Sequence, residues 1–165
     1  SDKKTIKLEG VKLAGYRTIS ISGVRDSAMI RDIDKILNEV KKSVRKNIKN
    51  SFHDQDYSLI FRKYGIDAVE GLIEPLKDLP HEIGIIVDVV GKTQEIANII
   101  CAIARSNLLH IDYPGRKTTA GNIAFPYSPS DISLGSVYNF NIYHLVEVEN
   151  LSETSRIEFI EVGSK

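Results

Sequence analysis

The sequence contains little that dictates a reaction: it has one cysteine, no net charge and no long apolar run. The single cysteine, Cys101, cannot form an internal disulfide, which predicts a reducing, cytoplasmic setting. The 22 basic and 22 acidic residues leave no positive excess to neutralise phosphates, so we expect no nucleic-acid partner. No run of about 18 apolar residues occurs, so we expect no membrane span and no membrane partner.

The remaining composition is that of a folded domain. An apolar content of 42% over 165 residues is enough for one packed core. We therefore predict a single α+β domain over residues 1–165, with halves at about 6–79 and 80–165. The chain begins with SDKKTIKLEG and enters a strand pattern at once. This abrupt start predicts a piece cut from a longer protein.

Residues 84–129 organise the rest of the chain. Residues 83–90 are an almost continuous β-branched run, which is typical of a strand buried on both faces. Gly91 ends it, and the Thr93 hydroxyl can cap a helix over residues 93–106. The apolar positions of this helix have spacings of three and four, and they are Ile96, Ile99, Ile100 and Ile103. We predict that Ile99 and Ile103 are fully buried between this helix and the sheet.

The other segments complete the predicted order of elements. The patterns predict one bent strand or two short strands over residues 6–22, a helix from Met29 to Ile48, and a strand over residues 57–64. Further strands are predicted over residues 123–125, 137–149 and 156–162. Two βαβ units in succession indicate a two-layer α+β sandwich, ferredoxin-like or related, with a mostly antiparallel sheet and helices on one face.

Two segments are candidate ligand-binding sites. Gly91-Lys92-Thr93 resembles the end of a phosphate-binding loop, but Ile86 stands where that motif requires a glycine. This departure excludes nucleotide hydrolysis and leaves a simple anion bound by Lys92 and the first N–H groups of the helix.

The second candidate is the loop RKTTAGN over residues 116–122, because arginine and threonine side chains suit a carboxylate or phosphate. We expect this loop to return to the helix start. The predicted ligand-binding residues are therefore Lys92, Thr93, Arg116, Thr118, Thr119, Gly121 and Asn122. The alternative is an ordered loop whose polar groups bond its own backbone.

The remaining polar residues give weaker signals. No two histidines have the spacing of a helical metal pair, so no metal site and no cofactor are predicted. Cys101 has no cationic neighbour and is expected in the core. A polar stripe on the predicted helix either borders a pocket or faces solvent, and it consists of Gln94, Asn98, Cys101 and Arg105.

Four segments resemble the C-terminal region of acyclic terpene utilisation (AtuA)-type proteins. They are VKLAGYRTISISGVRD, YSLIFRKYG, GKTQEIANIICAIARS and YPGRKTTAGNIAFPYSPSDI, and the resemblance covers about residues 6–148. It implies that this chain is the C-terminal part of a roughly two-domain protein whose N-terminal α/β part is missing here. The family is linked to the breakdown of branched, acyclic terpenoid acyl compounds. No catalytic residue carries over from it.

Three functions follow as alternatives. The first is an accessory or substrate-binding domain of a catabolic protein acting on branched acyclic acyl compounds, with an anionic small molecule or acyl-CoA as ligand. The second is a structural domain without its own ligand, which forms a homo-oligomer through a sheet edge. The third is a lyase or hydratase of small carboxylic acids. Its acid and base could come only from Asp88, His110 and Asp112, so the catalytic residues stay unknown.

Overall fold

The computed structural model describes residues 4–69, 71, 78–117, 121–150, 154 and 158–160. Within these residues the chain forms four strands and three helices. In chain order they are β1 (Thr5–Val24), α1 (Ser27–Arg31), α2 (Ile33–Ile48), β2 (Tyr57–Tyr64), β3 (Ile83–Gly91), α3 (Gln94–His110) and β4 (Asp131–Glu147).

The four strands form one antiparallel sheet in the order β2-β3-β1-β4. Strand β3 lies between β2 and β1 and is antiparallel to both. Each βαβ unit is therefore split by a strand of the other unit, which is the ferredoxin-like arrangement. The predicted two-layer α+β fold is confirmed.

The chain forms two compact units. The sheet unit is residues 14–137, and the ribbon unit is residues 1–13 together with residues 138–165. Strands β1 and β4 contribute to both units. This division differs from the predicted halves at about 6–79 and 80–165. The single domain, its halves and the missing N-terminal part stay predictions.

The first helical segment is two helices rather than one. The carboxylate of Asp26 accepts a hydrogen bond from the Ala28 N–H at 2.8 Å and so caps α1. Asp32 separates α1 from α2, with φ −103° and ψ 17°. All of the apolar positions of α2 are buried, and they are Ile33, Ile36, Leu37, Val40, Val44 and Ile48. The three-and-four spacing of these residues therefore predicted the buried face of α2 correctly.

The core lies on one side of the sheet. In β3 the side chains of Ile83, Ile85, Val87 and Val89 are buried. Of the alternate residues, Ile86 and Val90 are only half-buried, although Asp88 between them is 5% exposed. The prediction that β3 is buried on both faces is therefore wrong. A β-branched run does not distinguish a covered face from an open one, because both faces of this strand are apolar.

Helix α3 packs on the sheet through its small residues. Its buried positions are Ala97, Ile100, Cys101, Ala104 and Leu108. Ile103 is half-buried and packs against the core, whereas 37% of Ile99 is exposed. The predicted full burial of Ile99 and Ile103 is therefore wrong. The small side chains allow the helix backbone to approach the sheet, which turns Ile99 towards solvent.

The junction between β3 and α3 requires a glycine. A Cβ at Gly91 would lie 2.7 Å from the backbone nitrogen of Ala97, so a larger residue could not fit there. Helix α3 also continues beyond the predicted end at residue 106, to His110. This extension places Leu108 in the core.

The predicted later strands differ in extent. Strand β4 begins at Asp131, six residues before the predicted start. Residues 123–125 form no strand of their own, and Ala124 makes a single bridge to Gly23. Of the predicted strand over residues 156–162, only residues 158–160 are described, and they are not in a strand.

Candidate functional site

The start of α3 is fixed by local contacts. The Thr93 hydroxyl accepts a hydrogen bond from the Ile96 N–H at 3.2 Å, which confirms the predicted cap. The Lys92 ammonium donates to the Asp56 carboxylate at 2.7 Å, and the Lys92 N–H donates to the Asp56 carbonyl at 2.9 Å. The Lys92 hydrogen bond holds the pKa of the Asp56 carboxyl below its usual value. Lys92 therefore ties the loop before β2 to the start of α3.

The loop after α3 caps the opposite end of that helix. The Asn122 N–H donates to the Leu109 carbonyl at 2.9 Å, and its Nδ2 donates to the Ile111 carbonyl at 2.6 Å. The Arg116 guanidinium donates to the His110 carbonyl at 3.3 Å. The last carbonyls of a helix lack partners within the helix and carry a partial negative charge. Asn122 and Arg116 therefore satisfy the C-terminal end of α3.

The predicted convergence of the two candidate segments is wrong. Helix α3 has 17 residues and is therefore about 25 Å long. Lys92 and Thr93 lie at its first end, whereas Arg116 and Asn122 bond to its last turn and the residue after it. The two segments cannot share one anion. A chain that is long enough to return along a helix need not do so when the helix end itself requires partners.

The other predicted ligand-binding residues of this loop are Thr118, Thr119 and Gly121. Thr118 and Thr119 lie outside the described residues. A Cβ at Gly121 would lie 2.5 Å from Leu109 Cδ1, so glycine lets the loop pack closely on α3. Ligand binding by each residue separately stays a prediction. For Asn122 and Arg116 the described hydrogen bonds agree with the alternative of an ordered loop bonded to backbone.

Replacing Asn122 with Ala tests this capping role. We expect a loss of about 1 kcal/mol in the free energy of unfolding, because the Ile111 carbonyl loses its donor. This value is at the low end of the roughly 1–3 kcal/mol range for an unpaired buried polar group. The substitution also removes Asn122 Oδ1, which is buried and has no hydrogen-bond partner within the described part of the chain. Urea unfolding measures the change. Lys117→Ala, at an exposed position of the same loop, should change it by less than about 0.5 kcal/mol.

The polar stripe of α3 binds the neighbouring strands. Asn98 Oδ1 accepts hydrogen bonds from Thr18 at 2.5 Å, Gln94 at 3.0 Å and Ser133 at 2.9 Å. Farther along, Arg105 pairs with Asp131 at 2.7 Å. The stripe therefore does not simply face solvent, and the alternative that it borders a pocket stays a prediction. It fixes α3 against β1 and the beginning of β4.

No helix of the described residues packs on the opposite surface of the sheet unit, and we call this surface the open face. The register places Asp88 between Ile19 and Ile60, and Ile86 between Ile21 and Arg62. Side chains alternate along each strand. The open face therefore includes Arg17, Ile19, Ile21, Ser58, Ile60, Arg62, Tyr64, Ile86, Asp88, Val90, Ile132 and Leu134. It is a mainly aliphatic surface with three charged residues at its centre.

These three residues form a cluster around the Asp88 carboxylate, which is only 5% exposed. Arg62 donates to Asp88 Oδ2 from Nε at 3.0 Å and from Nη2 at 2.9 Å. Arg17 Nε lies 3.0 Å from Asp88 Oδ1. That contact is an ion pair but not an aligned hydrogen bond, since neither atom has a hydrogen-bond partner within the described residues. A buried carboxylate of this kind requires positive partners.

The sequence alone does not predict this cluster, since no local pattern pairs Asp88 with a particular arginine. A signal was present, however. Asp88 interrupts a β-branched run, and Arg17 and Arg62 each interrupt an alternating strand pattern. Charges at such positions indicate pairing across strands. Only the register identifies which charges pair.

The other acid–base candidates, His110 and Asp112, lie apart from Asp88. They line an open depression of about 500 Å³ between α2 and the end of α3, together with Glu39. Both side chains are exposed. Ligand sites normally enclose most of the ligand surface, so this depression gives little support to the lyase or hydratase alternative.

Within the described residues, no three His, Cys, Asp or Glu side chains are grouped to hold a metal ion. No helix in that part of the chain is long and apolar enough to cross a membrane. No family model, curated protein or solved structure matches this chain.

Proposed function

We propose that this chain is an accessory domain that uses its open face to bind another protein surface. The observation that carries the proposal is the aliphatic open face centred on the Arg17–Asp88–Arg62 cluster. Together with the resemblance to AtuA-type proteins, this observation supports a more specific proposal. The chain is then an accessory domain of a protein that degrades branched acyclic acyl compounds. The N-terminal α/β part that the resemblance implies is then the partner.

The size and shape of the open face favour a protein as the occupant. Strands lie about 4.8 Å apart, so four strands with five residues each present a surface of roughly 300–400 Å². Apolar patches of this size on a monomer are often functional. Ile60 is 44% exposed and Tyr64 is 47% exposed. A small ligand is normally enclosed in a concave pocket, whereas a sheet face presents a broad surface.

The charges of the cluster specify the chemistry of the partner. Asp88 balances only one of the two arginines, and about 40% of each arginine side chain is exposed. A carboxylate within an apolar partner surface would complete this charge balance. A second copy of the open face would instead bring two positive clusters together. The expected partner is therefore an apolar surface that carries an acidic side chain.

Photo-crosslinking of the whole protein in its native host tests the proposal. A photoreactive phenylalanine replaces Ile60 on the open face or, as a matched control, Ile99 on the exposed side of α3. We expect Ile60 to crosslink to one defined peptide that contains an acidic residue, and Ile99 to give no defined product. Tyr64→Lys, beside the cluster, should reduce the Ile60 product. Equal labelling at both positions would contradict the proposal.

Calorimetry with a branched acyl-CoA tests the substrate-binding alternative on the same protein. We expect no heat of binding, because the predicted ligand residues Lys92, Arg116 and Asn122 are bonded to other parts of the chain. Binding that Arg116→Ala weakens by about 1.5–3 kcal/mol would instead support a substrate-binding domain.

A further inference from the structure

We propose that two copies of this chain associate by pairing the outer edges of their β4 strands. The pairing segment is Tyr138–Glu147, which belongs to the ribbon unit and which we call the β4 edge. This association uses a surface other than the open face and goes beyond the proposed function. The partner is a second copy of the same chain, in antiparallel alignment.

The inner side of β4 is already paired. The Val148 N–H donates to the Lys4 carbonyl of the neighbouring β1 end at 3.0 Å. A Cβ at Gly10 would lie 3.1 Å from Ile142 Cβ, so β1 and β4 are also in close contact near the middle of the ribbon. In the sheet order β4 is terminal, and no described strand lies on its outer side. The outer N–H and C=O groups of residues 138–146 have no partner strand within the described residues, so they can pair with another strand.

The sequence of the β4 edge lacks the features that keep edge strands apart. Natural edges carry lysine, proline or inward-pointing charges. From Tyr138 to Val146 there is no Lys, Arg, Asp, Glu or Pro. Its large apolar side chains are instead exposed, and they are Tyr138, Phe140, Ile142, Tyr143 and Leu145. A two-stranded ribbon with this surface is marginal by itself, and a second ribbon would make it four-stranded.

The edge is complementary to itself. A two-fold axis at Asn141 would place Phe140 opposite the partner's Ile142, and Asn139 opposite the partner's Tyr143. Aromatic and β-branched residues in such cross-strand pairs stabilise a sheet. No like charges are opposed, since the segment is uncharged before Glu147. An isologous contact needs only this one surface on both copies. An edge with no charge offers nothing that would select a charged peptide instead.

Cysteine crosslinking tests the two-fold pairing. In Asn141→Cys the two cysteines would face each other, so mild oxidation should give a disulfide-linked dimer that a thiol reductant separates. Val11→Cys, at an exposed position of β1, is the matched control and should stay monomeric. The native Cys101 does not interfere, because burial raises the pKa of its thiol to about 12. Equal crosslinking of both variants would overturn the pairing.

Sedimentation velocity of the reduced protein tests the same contact without a crosslink. We expect the unmodified chain to dimerise. Phe140→Lys should raise the dimer dissociation constant at least about 30-fold, because each of the two copies loses a central aromatic anchor. An unchanged circular dichroism spectrum would show that this variant is folded. A monomeric unmodified chain would overturn the proposal, and so would a dimer that Phe140→Lys leaves intact. A dimer separated only by Tyr64→Lys would assign association to the open face.

Discussion

Replacing Asp88 with Ala is expected to lower the free energy of unfolding by about 3 kcal/mol. The substitution leaves two arginines on an apolar surface without their shared anion, and removing one partner of a buried ion pair costs about 3–5 kcal/mol. The low end applies because Arg17 and Arg62 are partly exposed and can turn towards water. Urea unfolding measures the change. An unchanged denaturant slope would show that the loss is in stability rather than in compactness.

A triple variant is the control for this prediction. Asp88→Leu combined with Arg17→Met and Arg62→Met replaces the cluster by side chains that match the neighbouring Ile19 and Ile60. Replacing a whole buried ion pair by apolar residues is often neutral or stabilising, so stability should return to near that of the unmodified chain. A cost below about 1 kcal/mol for Asp88→Ala would instead mean that the cluster is a solvated surface pair.

The triple variant also separates folding from binding. If the cluster attracts an acidic partner surface, the folded triple variant should no longer crosslink from position 60. If the cluster only stabilises the sheet, crosslinking should persist at its original level. The same three residues therefore give different results in the two measurements. Persistent crosslinking of the triple variant would contradict the binding proposal but not the predicted effect of Asp88 on stability.

Features set by local chemistry could be predicted from the sequence. The Thr93 cap needs only a hydroxyl and the N–H three residues later. The buried face of α2 follows from apolar spacing, since its opposite face is charged. The strand limits of β2 follow from alternation over residues 57–64. These features together were enough to give the two-layer arrangement.

Features set by register or by helix rotation could not be predicted. The contacts of Asp88 with Arg17 and Arg62 join residues on three strands, and no local pattern gives their alignment. The loop at Arg116 has the same composition whichever end of α3 it reaches. Its position follows from the unpaired carbonyls at the helix end, which attract the loop donors. The sequence indicated a polar cluster there but not its partners.

Helix α3 shows why periodicity alone fails on an apolar helix. Its isoleucines at positions 96, 99, 100 and 103 fit one face, but Ala97, Cys101 and Ala104 beside them are also apolar. Two adjacent faces can therefore be buried. The sheet takes the face with smaller side chains, because it allows the closer approach. Side-chain volume therefore decides how the helix is rotated about its axis, and a hydropathy pattern contains no information about volume.

Alanine substitutions at positions 100 and 99 test this rotation of α3 directly. Ile100→Ala should lower the free energy of unfolding by about 3–4 kcal/mol, because Ile100 is fully buried and its removal leaves a cavity between α3 and the sheet. Ile99→Ala is the matched control, with the same chemical change one residue earlier in the same helix. It should cost less than about 1 kcal/mol, since Ile99 is partly exposed and water can fill the space.

The test depends on the difference between the two variants in the free energy of unfolding. Both replace isoleucine with alanine, so changes in helix propensity and in the unfolded chain are nearly equal and cancel. What remains is the cavity at position 100 and its absence at position 99. Equal costs would mean that the helix is rotated so that both side chains are buried. A larger cost at Ile99 would restore the face predicted from spacing, and would turn Ala97 and Cys101 away from the sheet.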